Sequence, residues 1–268
     1  MSQQTDPFSV PNARRVVVIG HPAHELAIYG LLQRHLPHVV VITDGGGPER
    51  ERQSREGLER IGLLEKATYL GYSESSFYEA LLDRDDALFA RVADDLRVEL
   101  ERLQPDQVFC DAIEFYNPVH DITRPMVLRA LQGLPEAALY EIPLVYQKPA
   151  DAESYEIQRV PEACSDRRFQ YHLTAAELAH KTHARDHIYL NLREQAGPEF
   201  LVITPEHLAL EEIADASGDF PEPESSGRVL RYDWRAELLK NDGSITRAIT
   251  YREHFLPAVD ALLGGVPA

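Results

Sequence analysis

The sequence predicts an α/β fold of three layers, with helices on both faces of a mostly parallel sheet and a less regular C-terminal region. Three observations predict it. The runs Val16-Val17-Val18-Ile19 and Val39-Val40-Val41-Ile42 are apolar at every position, as strands covered on both faces must be. Segments with a helical period separate these runs from each other and from a later one, Val108-Phe109-Cys110. Each run stops at a polar or glycine-rich loop, and such loops at the carboxyl ends of parallel strands are where ligands gather.

The elements follow in order. Residues 1–13 are polar, contain prolines and read as a disordered tail; residues 14–268 read as one domain, with about 196–268 as a C-terminal extension. The first strand ends at Gly20, and a helix is expected through Leu26, Tyr29, Leu32 and Leu36. The second strand ends at Thr43, before Asp44-Gly45-Gly46-Gly47-Pro48, which no helix crosses. Residues 49–61 are charged with a helical period, and Gly62 supplies a C-cap. Thr68-Tyr69-Leu70 reads as a short third strand, residues 85–103 as a long amphipathic helix, and residues 107–110 as the fourth strand. After an irregular loop over 111–120, a helix opens at Asp121 with Pro125 in its first turn, where a missing N–H costs little. Alternation over 139–146 predicts a further strand. Thr174 and Glu177 form a capping-box pattern that opens a helix through residue 194. Residues 200–203 read as a strand, 216–227 as a mobile loop rich in Gly, Pro, Ser and acid, and 234–257 as mixed helix and irregular structure.

Charge and composition exclude several functions. There are 44 acidic and 27 basic residues, a formal net charge of −17, so the chain should repel nucleic acid and anionic lipid. No apolar run is long enough to span a bilayer, and residues 1–12 lack an apolar signal core, so the expected location is the cytoplasm. Cys110 and Cys164 are too few and too far apart for a secreted disulfide framework. The expected partner is a small-molecule substrate, with neither nucleic acid nor membrane; a homo-oligomer is left open.

One constellation carries chemistry. His21 and His24 are three residues apart at a strand-to-helix turn, a spacing that lets both imidazoles face one point, and His120 comes from another strand end. Three neutral imidazoles with one position left for water make an open catalytic zinc site. Imidazole also suits iron, nickel and copper. Hydrolysis there needs a group that moves a proton. Glu114, on the loop before His120, is the preferred base. Glu25, next to His24, is the second candidate, with orientation of an imidazole as its other role. Asp44 and Asp111 end strands at the same edge; Asp44 also suits a turn before the three glycines, which lack the spacing and lysine of a phosphate-binding loop. Asp121 reads as an N-cap or helix-dipole partner. His180, His183 and His187 share a helical face and read as surface, and His254 as structural. Tyr69, Tyr72, Phe77 and Tyr78 read as core and rim packing with an aromatic lip as the alternative, and Cys110 as an inert buried thiol.

Gly20-His21-Pro22-Ala23-His24-Glu25 resembles the Ala-His-Pro-Asp-Asp-Glu signature of the LmbE/PIG-L-like zinc-dependent N-acetylglucosaminyl deacetylases, which also follows a first strand. Thr43-Asp44-Gly45 matches that family's Thr-Asp-Gly turn, and residues 50–62 resemble its Arg- and Glu-rich helix. Asn117-Pro118-Val119-His120 stands where the family has His-Pro-Asp-His, and residues 121–131 and 173–181 resemble its following segments. The motifs run in matching order over roughly residues 14–195. The resemblance implies a Rossmann-like fold and one zinc, held at positions that are here His21, His24 and His120. The middle ligand has changed from carboxylate to imidazole, which leaves the site more positive. Other departures touch the reaction. The family's general base stands at Ala23, its His–Asp pair at Asn117 and Val119, and its oxyanion-side Tyr near Phe115, with Tyr116 adjacent.

These readings converge on a zinc-dependent, N-deacetylase-like hydrolase acting on an N-acyl amino sugar or a related small polar amide. Two other readings stay open. One is different metal chemistry at a three-His site, such as lyase, isomerase or iron- and oxygen-dependent reactions. The other is a non-catalytic protein that binds a sugar or metabolite and has lost the base.

Overall fold

Side chains alternate across each strand, so a strand apolar at every position must serve two cores. This is what the computed structural model shows; it describes residues 6–148, 154–195, 203–216, 220–223 and 225–264. Strands β1 (Arg15–Ile19), β2 (His38–Thr43), β3 (Ala67–Tyr72), β4 (Gln107–Asp111) and β5 (Ala138–Ile142) lie parallel in the order β3-β2-β1-β4-β5. Strands β6 (Val145–Gln147) and β7 (Tyr155–Ile157) form a separate antiparallel ribbon. Strands β8 (Arg168–His172) and β9 (Leu210–Asp215) complete a seven-stranded sheet, with β9 antiparallel to both β5 and β8.

The helices are α1 (Tyr29–His35), α2 (Pro48–Arg60), α3 (Glu74–Asp83), α4 (Asp86–Leu103), α5 (Pro118–Asp121), α6 (Thr123–Leu131), α7 (Ala175–His183), α8 (Leu190–Gln195), α9 (Pro205–Leu208), α10 (Arg231–Asn241) and α11 (Leu256–Leu263). Val16, Val18, Val40 and Ile42 pack with Phe77 of α3, Leu96 of α4, Met126 of α6 and Val259 of α11. Val17, Ile19, Val39 and Val41 pack on the other side with Leu32 of α1, Leu58 of α2, Tyr189 and Leu208. The three-layer, mostly parallel α/β architecture is therefore the one the β-branched runs predict. No helix of the described residues is long and apolar enough to cross a membrane.

The structure departs from the sequence reading where backbone chemistry or long-range contacts intervene. The strand expected over 139–146 is cut at Pro143, which has no N–H to give a ladder, so β5 ends at Ile142 and β6 starts at Val145. The helix expected through residue 194 keeps its Thr174–Glu177 capping box, but α7 ends at His183 and a π turn, Ala184–Ile188, precedes α8. Helix α3 is additional; its buried stripe Phe77, Ala80 and Leu81 has helical spacing, though Gly71 and the Tyr and Ser residues over 72–78 disguise it. Strand β9 is additional too, because Glu211 and Glu212 break its apolar pattern yet are buried. It lies inside the main sheet, so the C-terminal extension supplies an interior strand.

Disorder does not extend over residues 6–13. Asp6 caps a 3-10 turn over Pro7–Ser9, and Phe8 stacks on His35 and Phe109 at centroid distances of 4.3 and 5.3 Å. Of the strand expected at 200–203, residues 200–202 lie outside the described residues. Parts of the 216–227 loop do as well.

Candidate metal centre

The site is assembled where β1 and β4 end. Gly20 follows β1, and its N–H donates to Asp111 Oδ2 at 2.7 Å, tying the two strand ends together. A Cβ on Gly20 would lie 2.8 Å from Thr123 Oγ1 and 3.0 Å from Asp111 Oδ2, so this approach requires glycine. His21 comes next. The chain then turns sharply through Ala23, which has φ +81°, a left-handed conformation costly for a residue with a Cβ. The turn starts a short 3-10 helix at His24 and swings that imidazole back beside His21. His120 arrives from the β4 side on α5, whose N-cap is Asn117: its Oδ1 accepts from Val119 N at 2.8 Å.

The three imidazoles converge. Ring centroids are 4.0 Å apart for His21–His24, 4.6 Å for His21–His120 and 4.4 Å for His24–His120. Each offers one nitrogen, and these atoms lie within 4.8 Å of one another. All three residues are buried. Burial first, and then neighbouring positive charge from Arg50 and the other rings, holds their pKa values well below the ordinary histidine range. They are therefore neutral and keep lone pairs. Neither ring nitrogen of His21 has a hydrogen-bond partner, and neither has Nδ1 of His120. Buried nitrogens are rarely left unpaired in a finished core. A divalent metal would satisfy one nitrogen of each ring, and neutral imidazole is the donor such a metal takes.

A second layer fixes the first. His24 Nδ1 lies 2.7 Å from Asp111 Oδ2. With the proton on Nδ1, His24 donates to that carboxylate and presents Nε2 to the cluster, the arrangement that orients metal-ligating histidines. Burial raises the Asp111 pKa, against the Gly20 N–H that favours the carboxylate. Glu74, at the start of α3, brings Oε1 to 4.0 Å from His21 Nε2. Its backbone N–H donates to Asp44 Oδ1 at 3.0 Å, and Tyr78 OH donates to its Oε1 at 3.4 Å. Burial raises the Glu74 pKa, and Arg50 opposes that rise. Arg50 is itself buried and clamps two loops, donating to Pro22 O at 2.7 Å and Gly45 O at 3.2 Å.

Solved structures that share this fold include two deacetylases. One is a deacetylase in the biosynthesis pathway of teicoplanin, in complex with bog: 14% identity, TM-score 0.52, covering 77% of this chain and 100% of that chain. The other is the deacetylase of the A40926 pseudoaglycone: 17% identity, TM-score 0.51, covering 76% of this chain and 96% of that chain. At such identities the likeness establishes the fold. No family model matches the chain. No curated protein matches it either.

Glu114, Glu25 and Asp44, chosen from the sequence, have partners other than the three imidazoles. Glu114 is buried, and its oxygens accept from Leu144 N at 3.0 and 3.1 Å and from Val145 N at 2.7 Å, so it pins the β5–β6 connection. Burial pushes it up to about 8, against Arg228 and those two amides. Both oxygens, expected to serve the base, are engaged with backbone amides. Glu25 is also buried and faces the α2 side, accepting from Tyr189 OH at 2.8 Å. Asp44 spends Oδ1 on the N–H groups of Gly46 and Glu74, both at 3.0 Å, so it positions Glu74. Asp121 is a loop clamp that accepts from Glu114 N and Phe115 N at 2.8 and 2.9 Å, where a cap was expected. His254 accepts from Thr250 N at 3.0 Å within its own turn, and Cys110 is fully buried in the core. Glu74 and Arg50 were not singled out as site residues. The available signal was the third strand's end: Glu74 follows it by two residues, at the same sheet edge as Asp44 and Asp111.

Proposed function

We propose that the chain is a metal-dependent hydrolase of N-acyl groups, N-deacetylase-like, acting on an N-acyl amino sugar or a related small polar amide. The observation that carries this reading is the cluster of three buried imidazoles, two of them with unpartnered nitrogens, at the carboxyl edge of a parallel sheet. The fold shared with two deacetylases supports it. His21, His24 and His120 hold the metal, with zinc the first choice from the donor set. When bound, the metal supplies Lewis acidity for the acyl oxygen and lowers the pKa of water.

The chain's own residues do the rest. Asp111 fixes the ring of His24, and Asn117 fixes the turn that carries His120. Ala23 cannot take a proton. Glu74 is the carboxylate brought nearest His21, with Tyr78 and Asp44 holding it in place. We assign proton transfer to Glu74, in the role expected from the sequence for Glu114 or Glu25. Arg50 adds a fixed positive charge that disfavours protonation of all three imidazoles and favours an anionic group at the centre.

The test has two parts. Protein purified without added metal should carry about one equivalent of zinc per chain, lost in a His21→Ala/His120→Ala variant. N-acetylated sugars should then be deacetylated by the wild type. A Glu74→Gln variant should retain the metal and lose activity by about 100-fold or more, the usual range for a general base. One equivalent of iron would redirect the search to oxygen chemistry. Metal retention with tight sugar binding and no turnover would establish a binding protein, a reading favoured by Ala23 and by the structural use of Asn117.

A further inference from the structure

The loop that delivers His120 contains a turn its own sequence disfavours. Phe115 has φ +56°, a left-handed conformation that a bulky side chain rarely adopts. Such strain persists only where the surroundings over-determine it. Here they do. Phe115 N donates to Asp121 Oδ2 at 2.9 Å, and its carbonyl accepts from Arg231 N at 2.7 Å and from Tyr232 N at 3.4 Å. Its ring meets that of Tyr251 edge-on, 5.5 Å between centroids. Arg231 and Tyr232 open α10, so the turn is held from far downstream in the chain.

The residues just before α10 add a charge. Arg228 is 5% exposed, and its Nε and Nη1 have no hydrogen-bond partner. Among the described residues it is in no ion pair; its charge acts on the carboxyl groups of Glu114 and Asp121. Those two buried groups knit the loop. Asp121 takes the N–H groups of Glu114 and Phe115, and Glu114 takes those of Leu144 and Val145. A buried carboxylate is costly without a countercharge, and a buried guanidinium is costly without an anion. Val229 N donates to Gln147 O at 3.2 Å, which fastens the chain beside Arg228 to β6. The Arg231 guanidinium lies over the Tyr116 ring at 5.7 Å. Residues 228–232 thus grip the loop at Phe115, at Tyr116 and, through charge, at both carboxyl groups.

We infer that Arg228 is a positioning residue for His120, acting through Glu114 and the strained Phe115 turn. It needs no contact with the metal to do so: it fixes the loop from which the imidazole projects. That His120 binds a metal rests on the hydrolase reading; the clamp on its loop does not.

Four variants decide it: Arg228→Met, which removes the charge, Arg228→Lys, which keeps it, Glu114→Gln, and Arg228→Met/Glu114→Gln. Each is measured folded, for zinc affinity by competition with a chelator and, without metal, for hydrogen exchange at amides 113–121. Arg228→Met should weaken zinc about tenfold, in the range of residues that orient metal ligands, and speed exchange of the Glu114 and Phe115 amides. Arg228→Lys should stay close to wild type in both. The double variant should bind zinc no more weakly than Arg228→Met, because the two residues act as one unit. Lys181→Met, altered at the distant pair with Glu211, should keep wild-type zinc affinity, which separates positioning from a general loss of stability. A zinc loss in Arg228→Met no greater than in Lys181→Met, or additive losses in the double variant, would overturn the inference. Should Arg228→Met not fold, weakened zinc in Glu114→Gln beside near wild-type affinity in Arg228→Lys supports it, and equal affinities overturn it. Absence of zinc from wild type would sink the metal centre; faster exchange in Arg228→Met would then leave the clamp standing, and unchanged exchange would overturn it.

Discussion

Two buried polar centres in this protein differ in how their atoms are satisfied. At Lys181, Nζ donates to Glu211 Oε1 at 2.8 Å and to Ala27 O at 3.0 Å. Glu211 in turn accepts from the N–H groups of Gly30 and Leu31, both at 2.9 Å. Both side chains are fully buried. This pair joins α7, β9 and the start of α1 with every named atom partnered. The histidine cluster is equally buried, but His21 has no partner for either ring nitrogen. A satisfied buried pair is structural. An unsatisfied cluster of metal-binding donors has the chemistry of a ligand site.

The comparison can be broken by mutation. The largest expected effect is at the satisfied centre. Lys181→Met leaves Glu211 charged, buried and without its cation, at a cost of about 3–5 kcal/mol. Chemical denaturation measures it, and a loss below 1 kcal/mol would contradict the structural role. Next is metal removal: chelation should lower wild-type stability by about 3 kcal/mol when the metal had stood at a hundred times its Kd. The His21→Ala/His120→Ala variant should show no such response, while Lys181→Met should still show it. Without metal, His21→Ala should be destabilised less than Lys181→Met, since losing about 1–3 kcal/mol of unsatisfied polar burial offsets packing loss.

Asp111→Asn sharpens the comparison at the second layer. It should keep the fold and weaken metal affinity about 10- to 100-fold, read by competition with a chelator. The smallest effect concerns pH. The Arg34 guanidinium, with desolvation opposing it, holds Glu177 on α7 down to about 2, from an ordinary value near 4.5. A depressed folded-state pKa contributes stability that is complete above the unfolded value and is lost as pH falls through the folded one. Stability should therefore fall from about pH 4.5 to pH 2, and Glu177→Gln should flatten part of that slope.

How much was legible followed the range of the interactions. The β-branched runs, the glycine loop, the Thr174–Glu177 capping box and the His21–His24 spacing are local, and periodicity or side-chain chemistry reveals them directly. The three histidines, too, were singled out from strand-end placement. The base was not. Glu114, Glu25 and Glu74 are the same kind of residue near the same edge in sequence, and only their partners distinguish them. Glu114 faces two amides of the β5–β6 connection, Glu25 faces Tyr189 from 164 residues away, and Glu74 faces His21.

The sequence by itself determined the layered parallel sheet, because strands with no polar face can exist only between two cores. It also determined the donor set of the candidate metal centre, because imidazoles at two strand ends must meet at one sheet edge. Tertiary structure alone decided which carboxylate stands beside those imidazoles and how β9 enters the sheet. It also decided that residues between Tyr232 and Ile249 wall a cavity together with Tyr78 and Asn117. These depend on which distant amide, hydroxyl or guanidinium each side chain meets, and no local pattern encodes that.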